Sequence, residues 1–290
     1  MMTSKRCFTA VILIMILGLA SLIAAGEILS YPAHRVVGPP PASLNAASVE
    51  IHSIAGDVVS GWMIPGRENA GVVLLLHGIR ADRRDMEARA KFLSSLGYGV
   101  LLIDLPAHGE STGSHITFGA HESEGVRAAL SYLAHNHPSE RIGVIGVSLG
   151  AASMVLANPD PAPSAVVLES MFPTIEEAVT DRLRKYVGAP GEMLAPLLLQ
   201  QIPLRFDIPL AQLRPIQRIA DLHCPVFIIS GAIDQNTTLA ETERIFAAAV
   251  QPKQLWIVNG ASHVDLYAFG PKVYEQKVAA FLSKYLQKSG

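Results

Sequence analysis

The chain contains little cysteine and little charge. Two of its 290 residues are Cys and 17% are charged, with a formal net charge of −2. Cys7 and Cys224 form no Cys-x-x-Cys pair, so neither a zinc site nor a dithiol redox motif is indicated. The near-neutral charge gives no electrostatic reason to expect a nucleic-acid partner. A Walker loop and a glycine-rich dinucleotide fingerprint are also missing from the sequence, so we expect no cofactor and no metal.

Half of the sequence is hydrophobic, and part of that excess lies at the N-terminus. Lys5 and Arg6 precede an apolar stretch from Phe8 to Ala25. Its length is closer to the roughly 20 residues of a spanning helix than to the about 7–15 of a signal peptide, so residues 1–29 are predicted to be a membrane anchor. Ala24-Ala25-Gly26 leaves signal cleavage and secretion as the alternative. The basic residues predict that the rest of the chain is extracytoplasmic, in the periplasm.

Proline and glycine mark the next boundary. Tyr31-Pro32 and Gly38-Pro39-Pro40-Pro41 disfavour regular structure. We therefore predict a linker over residues 30–48 and a main domain over residues 49–290.

The main domain shows alternating strand and helix patterns. Residues 49–51 and 58–64 predict a hairpin around Ala55-Gly56-Asp57. Continuously apolar runs then indicate strands that are buried on both faces. These strands are predicted at 72–76, 100–103, 142–147, 165–168, 226–229 and 255–258, and helices at 82–96, 119–136, 149–157, 238–249 and 271–287. The expected fold is a three-layer α/β/α sandwich with a mostly parallel sheet.

Residues 171–221 interrupt this alternation with short, proline-broken amphipathic pieces. We interpret them as a small helical lid. The alternative is an elaborate crossover that only packs on the sheet.

The motif Gly146-Val147-Ser148-Leu149-Gly150 matches Gly-x-Ser-x-Gly. It follows a predicted buried strand and opens a helix of small residues, which is the context of a nucleophile elbow. Ser148 is therefore the candidate nucleophile. A helix-capping serine is the alternative.

A serine hydroxyl needs a base that takes its proton. His263 and Asp234 follow the last two predicted strands in the chain order that this arrangement requires. We predict that His263 is the general base and that Asp234 orients it. Asp265 and Glu169 are rival candidates for the acid.

Acyl transfer also needs hydrogen-bond donors for the developing oxyanion. The backbone N–H of Leu149 follows the nucleophile directly, and the N–H of Ile79 lies in the loop His77-Gly78-Ile79-Arg80 after an earlier strand. We predict that these two groups form the oxyanion hole. His77 is expected to orient the loop rather than to act in catalysis.

These motifs together resemble the α/β-hydrolase superfamily over residues 49 to 289, and in particular its membrane-anchored or exported bacterial members with a short lid. The resemblance rests on the His77-Gly78 loop, the stretch from Asp104 to Ser111, the elbow, Gly231-x-x-Asp234 and His263. It implies that the stretch containing His108 is a structural loop beneath the site.

The charged run from Arg80 to Asp85 departs from many of these relatives. Arg80 would lie beside the oxyanion loop and would meet an anionic part of a substrate. In the other interpretation, Asp82 caps the following helix and the arginines form surface ion pairs.

The leading functional hypothesis is hydrolysis of carboxylic esters or thioesters through an acyl-serine intermediate. A peptidase of the aminopeptidase kind would use the same triad, and an inactive membrane-tethered scaffold is the third reading. The expected partners are a small acyl substrate and a membrane, without nucleic acid.

Overall fold

A computed structural model of the chain describes the backbone of residues 2–53 and 56–287. Ala55 of the predicted hairpin turn lies outside the described residues. So do residue 1 of the predicted anchor and residues 288–290 at the end of the predicted main domain.

Ten strands are present in the described part of the chain. They are β1 (Ala33–His34), β2 (Ala47–His52), β3 (Val58–Ile64), β4 (Val72–Leu76), β5 (Gly99–Ile103), β6 (His108–Gly109), β7 (Ile142–Val147), β8 (Ala165–Glu169), β9 (Val226–Gly231) and β10 (Lys253–Val258).

The described α-helices are α1 (Met2–Ser30), α2 (Glu87–Ser95), α3 (Ala120–Asn136), α4 (Leu149–Ala157), α5 (Ile175–Val187), α6 (Ala189–Glu192), α7 (Ala195–Leu199), α8 (Gln201–Phe206), α9 (Leu239–Ala248), α10 (Leu266–Phe269) and α11 (Pro271–Leu286). Short 3₁₀ helices lie at Ala42–Leu44, Arg83–Met86, Leu210–Leu213, Pro215–Gln217 and Ile219–Leu222.

Eight strands form one sheet in the order β10-β9-β8-β7-β4-β5-β3-β2. The six strands from β10 to β5 are parallel to one another, whereas β3 is antiparallel to both β5 and β2. The chain runs from β4 to β5 on one side and later returns to β7 on the other side of β4. The strand order therefore reverses beside β4 and β7, which is where open α/β sheets bind their ligands.

The parallel strands are apolar throughout because both of their faces are covered. Leu74 and Leu76 of β4 belong to one hydrophobic cluster, which includes α3 and α4. Val73 and Leu75 belong to a second cluster on the other face, which includes α2 and α11. The predicted three-layer α/β/α sandwich is confirmed.

The segment expected to be an irregular linker carries more structure than its prolines suggest. Ala33–His34 pairs in parallel with His108–Gly109, and Leu44 is buried. Glu110 accepts hydrogen bonds from the backbone N–H groups of Val37 and Gly38. Proline prevents a repeating backbone pattern in this segment, but it leaves neighbouring carbonyl and N–H groups free to bond to the domain. Residues 30–48 therefore pack on the domain surface, and β2 begins at Ala47.

One helix in the described part of the chain is long and apolar enough to cross a membrane. Within the segment Phe8–Ser30 of α1, an 18-residue stretch has a mean hydropathy of 2.6 and 0% of that stretch is buried in the protein, whereas Ser30 at the end of the helix is buried. A membrane anchor and a signal sequence both fit this length and composition.

Residues 171–221 contain α5 to α8, two of the 3₁₀ helices and most of a third, which ends at Leu222. The insertion contacts the acid loop after β9, because Lys185 Nζ donates to Asn236 Oδ1 over 3.3 Å. Its role as a lid remains a prediction.

A buried ionic cluster joins three elements beneath the sheet edge. Arg89 of α2 donates to both carboxylate oxygens of Glu169, at 2.7 and 3.1 Å. The Tyr274 hydroxyl lies 2.5 Å from Glu169 Oε1, and Asp265 accepts a further bond from Arg89. Two carboxylates thus neutralise the charge of the buried Arg89. The cluster holds α2, β8 and α11 in fixed positions relative to one another.

Replacing Arg89 by Met should destabilise the protein by about 3–5 kcal/mol, because the buried Glu169 loses its counter-charge. Unfolding of the full chain in detergent, followed at several urea concentrations, measures this change in free energy. Lys91→Met is the matched control on the same helix: Lys91 is half exposed and pairs with Glu87 over 3.7 Å, so we expect a change below about 0.5 kcal/mol. Equal losses in the two variants would contradict a stabilising buried cluster.

Candidate active site

Ser148 occupies a sharp turn between a strand and a helix. It follows β7 directly and precedes α4, with φ 51° and ψ −108°. A positive φ is uncommon for a residue with a side chain and costs roughly 1–3 kcal/mol. The N–H of Ser148 donates to the carbonyl oxygen of Glu169 over 2.8 Å, which ties the turn to the neighbouring β8. The strain is therefore held in place by the sheet.

The two glycines of the motif allow α4 to pack tightly on the strands. A Cβ atom at Gly150 would lie 2.6 Å from the carbonyl oxygen of Leu76 and 2.7 Å from that of His77. A Cβ atom at Gly146 would lie 2.7 Å from the backbone nitrogen of Ala151. Any larger residue would push the helix away from β4 and move Ser148 with it.

Asp234 and His263 are hydrogen-bonded to each other. His263 Nδ1 donates to Asp234 Oδ2 over 2.8 Å. The other carboxylate oxygen accepts from the N–H groups of Asn236 and Thr237, at 2.8 and 3.0 Å. This fixes the tautomer in which Nε2 of His263 carries the lone pair.

The environment of Asp234 favours its ionised form. Burial alone would raise the pKa of this carboxyl, but the hydrogen bond and charge of His263, together with the N–H groups of Thr237 and Asn236, hold the pKa below its usual value. Asp234 is thus an anion that can stabilise an imidazolium.

Sheet topology brings these residues to one edge. Ser148, Asp234 and His263 follow the carboxyl ends of β7, β9 and β10, all parallel strands of the same sheet. The acid loop and the histidine loop touch, since the N–H of Ile233 donates to the carbonyl oxygen of Ala261 over 3.0 Å. The structure shows the bond between acid and histidine, and the pairing of His263 with Ser148 remains a prediction.

The rival acids serve a different cluster. Glu169 and Asp265 both accept hydrogen bonds from Arg89, whereas Asp234 holds the imidazole of His263. The geometry therefore favours Asp234 among the three carboxylates.

The two predicted oxyanion donors lie on adjacent loops. Leu76 pairs with Gly146 at the ends of β4 and β7, so the loop with Ile79 emerges beside the elbow. A Cβ atom at Gly78 would lie 3.8 Å from the Cβ of Ser148. Leu149 is the first residue of α4, and a backbone N–H in the first turn of a helix has no partner within that helix. Their use as an oxyanion hole remains a prediction.

His77 is buried and holds the loop that carries Ile79. Its Nε2 accepts from the N–H of Leu105 over 3.0 Å, so Nδ1 carries the proton and donates to the carbonyl oxygen of Gly78 over 2.7 Å. Burial lowers the pKa of His77 to about 4. A neutral histidine with both nitrogens bonded to backbone positions the loop, as the sequence suggested.

The comparison with known families agrees with this geometry. Residues 73–275 match the model of the alpha/beta hydrolase family. The chain belongs to that family. It is accordingly a hydrolase, with the mostly parallel sheet and flanking helices that its relatives share.

Similar proteins span nearly the whole chain. The Mycobacterium tuberculosis protein Rv2307c is 29% identical over 98% of each chain. YqkD of Bacillus subtilis is 24% identical and covers 80% of this chain, which covers 77% of YqkD. Among solved structures, the Pyrococcus furiosus esterase Pf2001 is 25% identical, with a TM-score of 0.72 over 88% of this chain and 99% of the esterase.

In this alpha/beta hydrolase, the stretch from Asp104 to Ser111 is a structural loop. Asp104 accepts hydrogen bonds from the backbone of Arg83 and Glu110, at 2.7 and 2.8 Å. His108 is fully buried, and its Nδ1 lies 2.9 Å from the carbonyl oxygen of Pro106. Burial, and to a lesser extent the charge of the nearby His77, lowers the pKa of His108 to about 4. His108 therefore lies beneath the site, as expected.

The charged run after the oxyanion loop behaves differently from either sequence hypothesis in one respect. Asp82 caps the following 3₁₀ helix by accepting from the N–H of Arg84 over 3.1 Å, as the second hypothesis expected. Arg83, however, is buried and pairs with Asp104 and Glu110, so the expectation of a surface ion pair was wrong for this residue. Sequence alone missed it because both carboxylates come from a distant loop.

Arg80 points toward the N-terminal helix. Its guanidinium donates to the carbonyl oxygens of Ile28 and Leu29 at the end of α1. A cation at this position satisfies carbonyl groups that have no partner within the helix. The side chain is therefore engaged by α1, which argues against the proposed contact with an anionic substrate.

The two buried histidines predict a pH dependence of stability. Because their folded pKa is about 4 and their unfolded pKa is near 6.5, the unfolded state binds more protons between these values. The contribution of the two neutral histidines to the free energy of unfolding should be fully present above about pH 6.5. It should fall toward pH 4, with a slope of about 1.4 kcal/mol per pH unit for each histidine.

Urea unfolding of the full chain across this pH range measures the slope. His108→Gln should reduce it by about 1.4 kcal/mol per pH unit, since one titrating group is removed. His121, which is exposed in α3, offers a control: His121→Gln should leave the slope as it is. A wild-type stability that stays flat between pH 6.5 and 4 would contradict the burial argument.

Proposed function

We propose that this hydrolase cleaves carboxylic ester or thioester bonds through an acyl-serine intermediate, with Ser148, His263 and Asp234 as its triad. The observation that carries the proposal is the pairing of a strained Ser148 turn with an Asp234–His263 hydrogen bond at the same edge of the sheet. A nucleophile, a base and an orienting acid are the components that acyl transfer requires.

In the first half of the reaction, Ser148 Oγ attacks the carbonyl carbon of the substrate while His263 Nε2 takes the hydroxyl proton. The N–H groups of Leu149 and Ile79 stabilise the negative charge on the carbonyl oxygen, a contribution worth about 10²–10³-fold per donor. The imidazolium, which Asp234 stabilises, then gives the proton to the leaving group, either to the oxygen of the departing alcohol or to the sulfur of the departing thiol.

In the second half, a water molecule gives a proton to His263 and its oxygen attacks the acyl carbon. Collapse of this intermediate releases the carboxylic acid, and Ser148 Oγ regains its proton from His263. No external cofactor takes part in either half, since every proton that leaves one group returns through the same imidazole.

The preference for esters is supported by the similarity to an enzyme named as an esterase, Pf2001, which is 25% identical over 88% of this chain. The same triad would also serve a peptidase of the aminopeptidase kind, and the test below distinguishes the two bonds.

We also propose that α1 is an uncleaved anchor and that the domain is extracytoplasmic. Lys5 and Arg6 precede the apolar window and are typical of the cytoplasmic flank. The far end of α1 is packed against the domain: Gln201 Nε2 donates to the carbonyl oxygen of Leu22 over 2.9 Å. Cleavage at the Ala24-Ala25-Gly26 site would divide this packed segment.

A fluorophosphonate probe should label the wild-type chain and fail to label Ser148→Ala, because only an activated serine attacks the probe. Ser153, a buried serine in α4 whose hydroxyl donates to Leu149, provides a control: Ser153→Ala should still be labelled. Wild-type protein that is folded yet unlabelled would favour the scaffold hypothesis instead.

Turnover of p-nitrophenyl esters but not aminoacyl anilides is the expected specificity, and the reverse preference would indicate the peptidase.

Asp234→Asn should lower kcat on an ester substrate by about 10⁴-fold, because the amide no longer selects the required tautomer of His263. Asp265→Asn is the matched control for the rival acid. Asparagine keeps the helix cap at this position, so kcat should stay within about threefold of the wild type. Steady-state kinetics on p-nitrophenyl esters measures both, and a larger loss in Asp265→Asn would assign the acid to position 265.

A further inference from the structure

The anchor helix and the insertion are joined by specific contacts. Gly26 of α1 packs directly against the side chain of Gln201, where a Cβ atom would clash. Glu27 forms an ion pair with Arg205, and the N–H of Ile116 donates to the carbonyl oxygen of Ser30 over 2.9 Å. The Gln201–Leu22 bond and the contacts of Gly26 and Glu27 fix the last third of α1 on α8 of the insertion, and the Ile116 bond ties its end to the loop before α3.

The position of these contacts along α1 determines how deep the insertion sits. Leu22 is about 21 Å along the helix from Phe8, at about 1.5 Å per residue. The hydrocarbon core of a bilayer is about 30 Å thick. A helix that enters the core at Phe8 therefore leaves it near residue 28, beyond the point at which it first meets Gln201. The contact with Gln201 therefore lies about 9 Å inside the boundary of the core, which is the depth to which the apolar face of an interfacial helix reaches.

An exposed apolar stripe lies at that depth. We use this term for Leu194, Leu197 and Leu204, whose exposed fractions are 44%, 53% and 82%. Helical hydrogen bonds continue across the junction of α7 and α8, from Gln200 to Pro196 and from Leu204 to Gln200. With Gln201 between them, the spacings of three, four and three residues place the stripe on the same helix face as the residue that bonds to α1.

The catalytic edge is adjacent to this assembly. Arg80 follows Ile79 of the oxyanion loop and bonds to the end of α1. Ile233 and Val264, each next to a triad residue, are exposed by 61% and 44%. Two exposed apolar side chains thus flank the triad residues, and Arg80 connects the predicted oxyanion loop to the end of α1.

We propose that the apolar stripe is seated in the lipid interface of the bilayer that α1 spans, and that the site takes acyl esters which partition into that bilayer. The inference rests on the proposed function through the retained anchor and the serine chemistry. Exposed leucine side chains fit an interfacial segment, whose apolar groups enter the acyl boundary, and the one basic side chain of α8, Arg205, is neutralised by Glu27 of α1.

The position of the stripe can be measured without reference to activity. Single cysteines at positions 197, 204 and 273, in a Cys7→Ser background of the full chain, are labelled with an environment-sensitive fluorophore in phosphatidylcholine vesicles. Burial raises the pKa of the Cys224 thiol to about 12, so Cys224 does not compete for the label. Val273, on α11 in the opposite layer, is 47% exposed and matches Leu197.

Brominated acyl chains should quench the fluorophore at 197 and 204 and leave that at 273 unchanged. If the fluorophores at 197 and 204 are quenched no more than the fluorophore at 273, the proposed position of the stripe is overturned, whether or not the enzyme is active.

A kinetic experiment tests the substrate class. The double variant Leu197→Glu/Leu204→Glu should hydrolyse a long-chain ester embedded in the vesicles at a rate reduced by about tenfold or more. The reason is that two apolar side chains no longer enter the lipid. Hydrolysis of water-soluble p-nitrophenyl acetate should be unchanged, and Val273→Glu should affect neither substrate. An unchanged rate on the embedded ester would overturn the inference about substrate. If the fluorophosphonate probe does not label the wild type, the serine chemistry is refuted instead. The quenching result would still test the position of the stripe independently.

Discussion

The strained turn at Ser148 depends on the close approach of α4 to the ends of β4 and β7. The positive φ is held because the N–H of Ser148 bonds to β8 and because two glycines let the helix touch the strand backbone. This contact also sets the distance between the elbow and the loop that carries Ile79. The geometry of the candidate site is therefore a property of the sheet and not of the loops themselves, which agrees with the need to hold a reacting group within a fraction of an ångström.

Beneath this edge, polar groups that play no part in the proposed chemistry keep the loops in position. His77 bonds to backbone on both sides and remains neutral, so it adds no charge near the developing oxyanion. Arg89 and Glu169 neutralise each other under the elbow. Both arrangements are buried, where an unpaired polar group would cost several kcal/mol, and each is satisfied by its neighbours.

The N-terminal helix is integrated with the catalytic domain rather than attached by a free tether. Arg80 closes its C-terminal end, Gln201 and Arg205 hold its side, and β1 continues directly onto the loop with His108. A rigid connection fixes the orientation of the domain relative to any membrane that α1 enters. The insertion and α1 consequently form one surface beside the loop that carries Ile79.

Much of the fold could be predicted from residue patterns, because the patterns are local. Short runs such as Val72 to Leu76 are apolar at every position, as strands buried on both faces are, and the strands and main helices occur within a few residues of their predicted bounds. The elbow motif, Asp234 and His263 could also be named as candidates, since their order along the chain and their places after strands match the arrangement that the chemistry requires.

The remaining features were decided by tertiary structure alone. Nothing near Arg83 or Arg80 in sequence reveals that one meets Asp104 and the other meets Ile28, because these partners lie 21 and 52 positions away. That Arg89 engages Glu169, the rival candidate for the acid, likewise emerged only from the folded structure. The sequence by itself determined which elements form and named the candidates for reactive chemistry. Pairings between distant charged side chains depended on the folded packing, because the Coulomb and hydrogen-bond energies that select a partner act only between groups that the fold has already brought together.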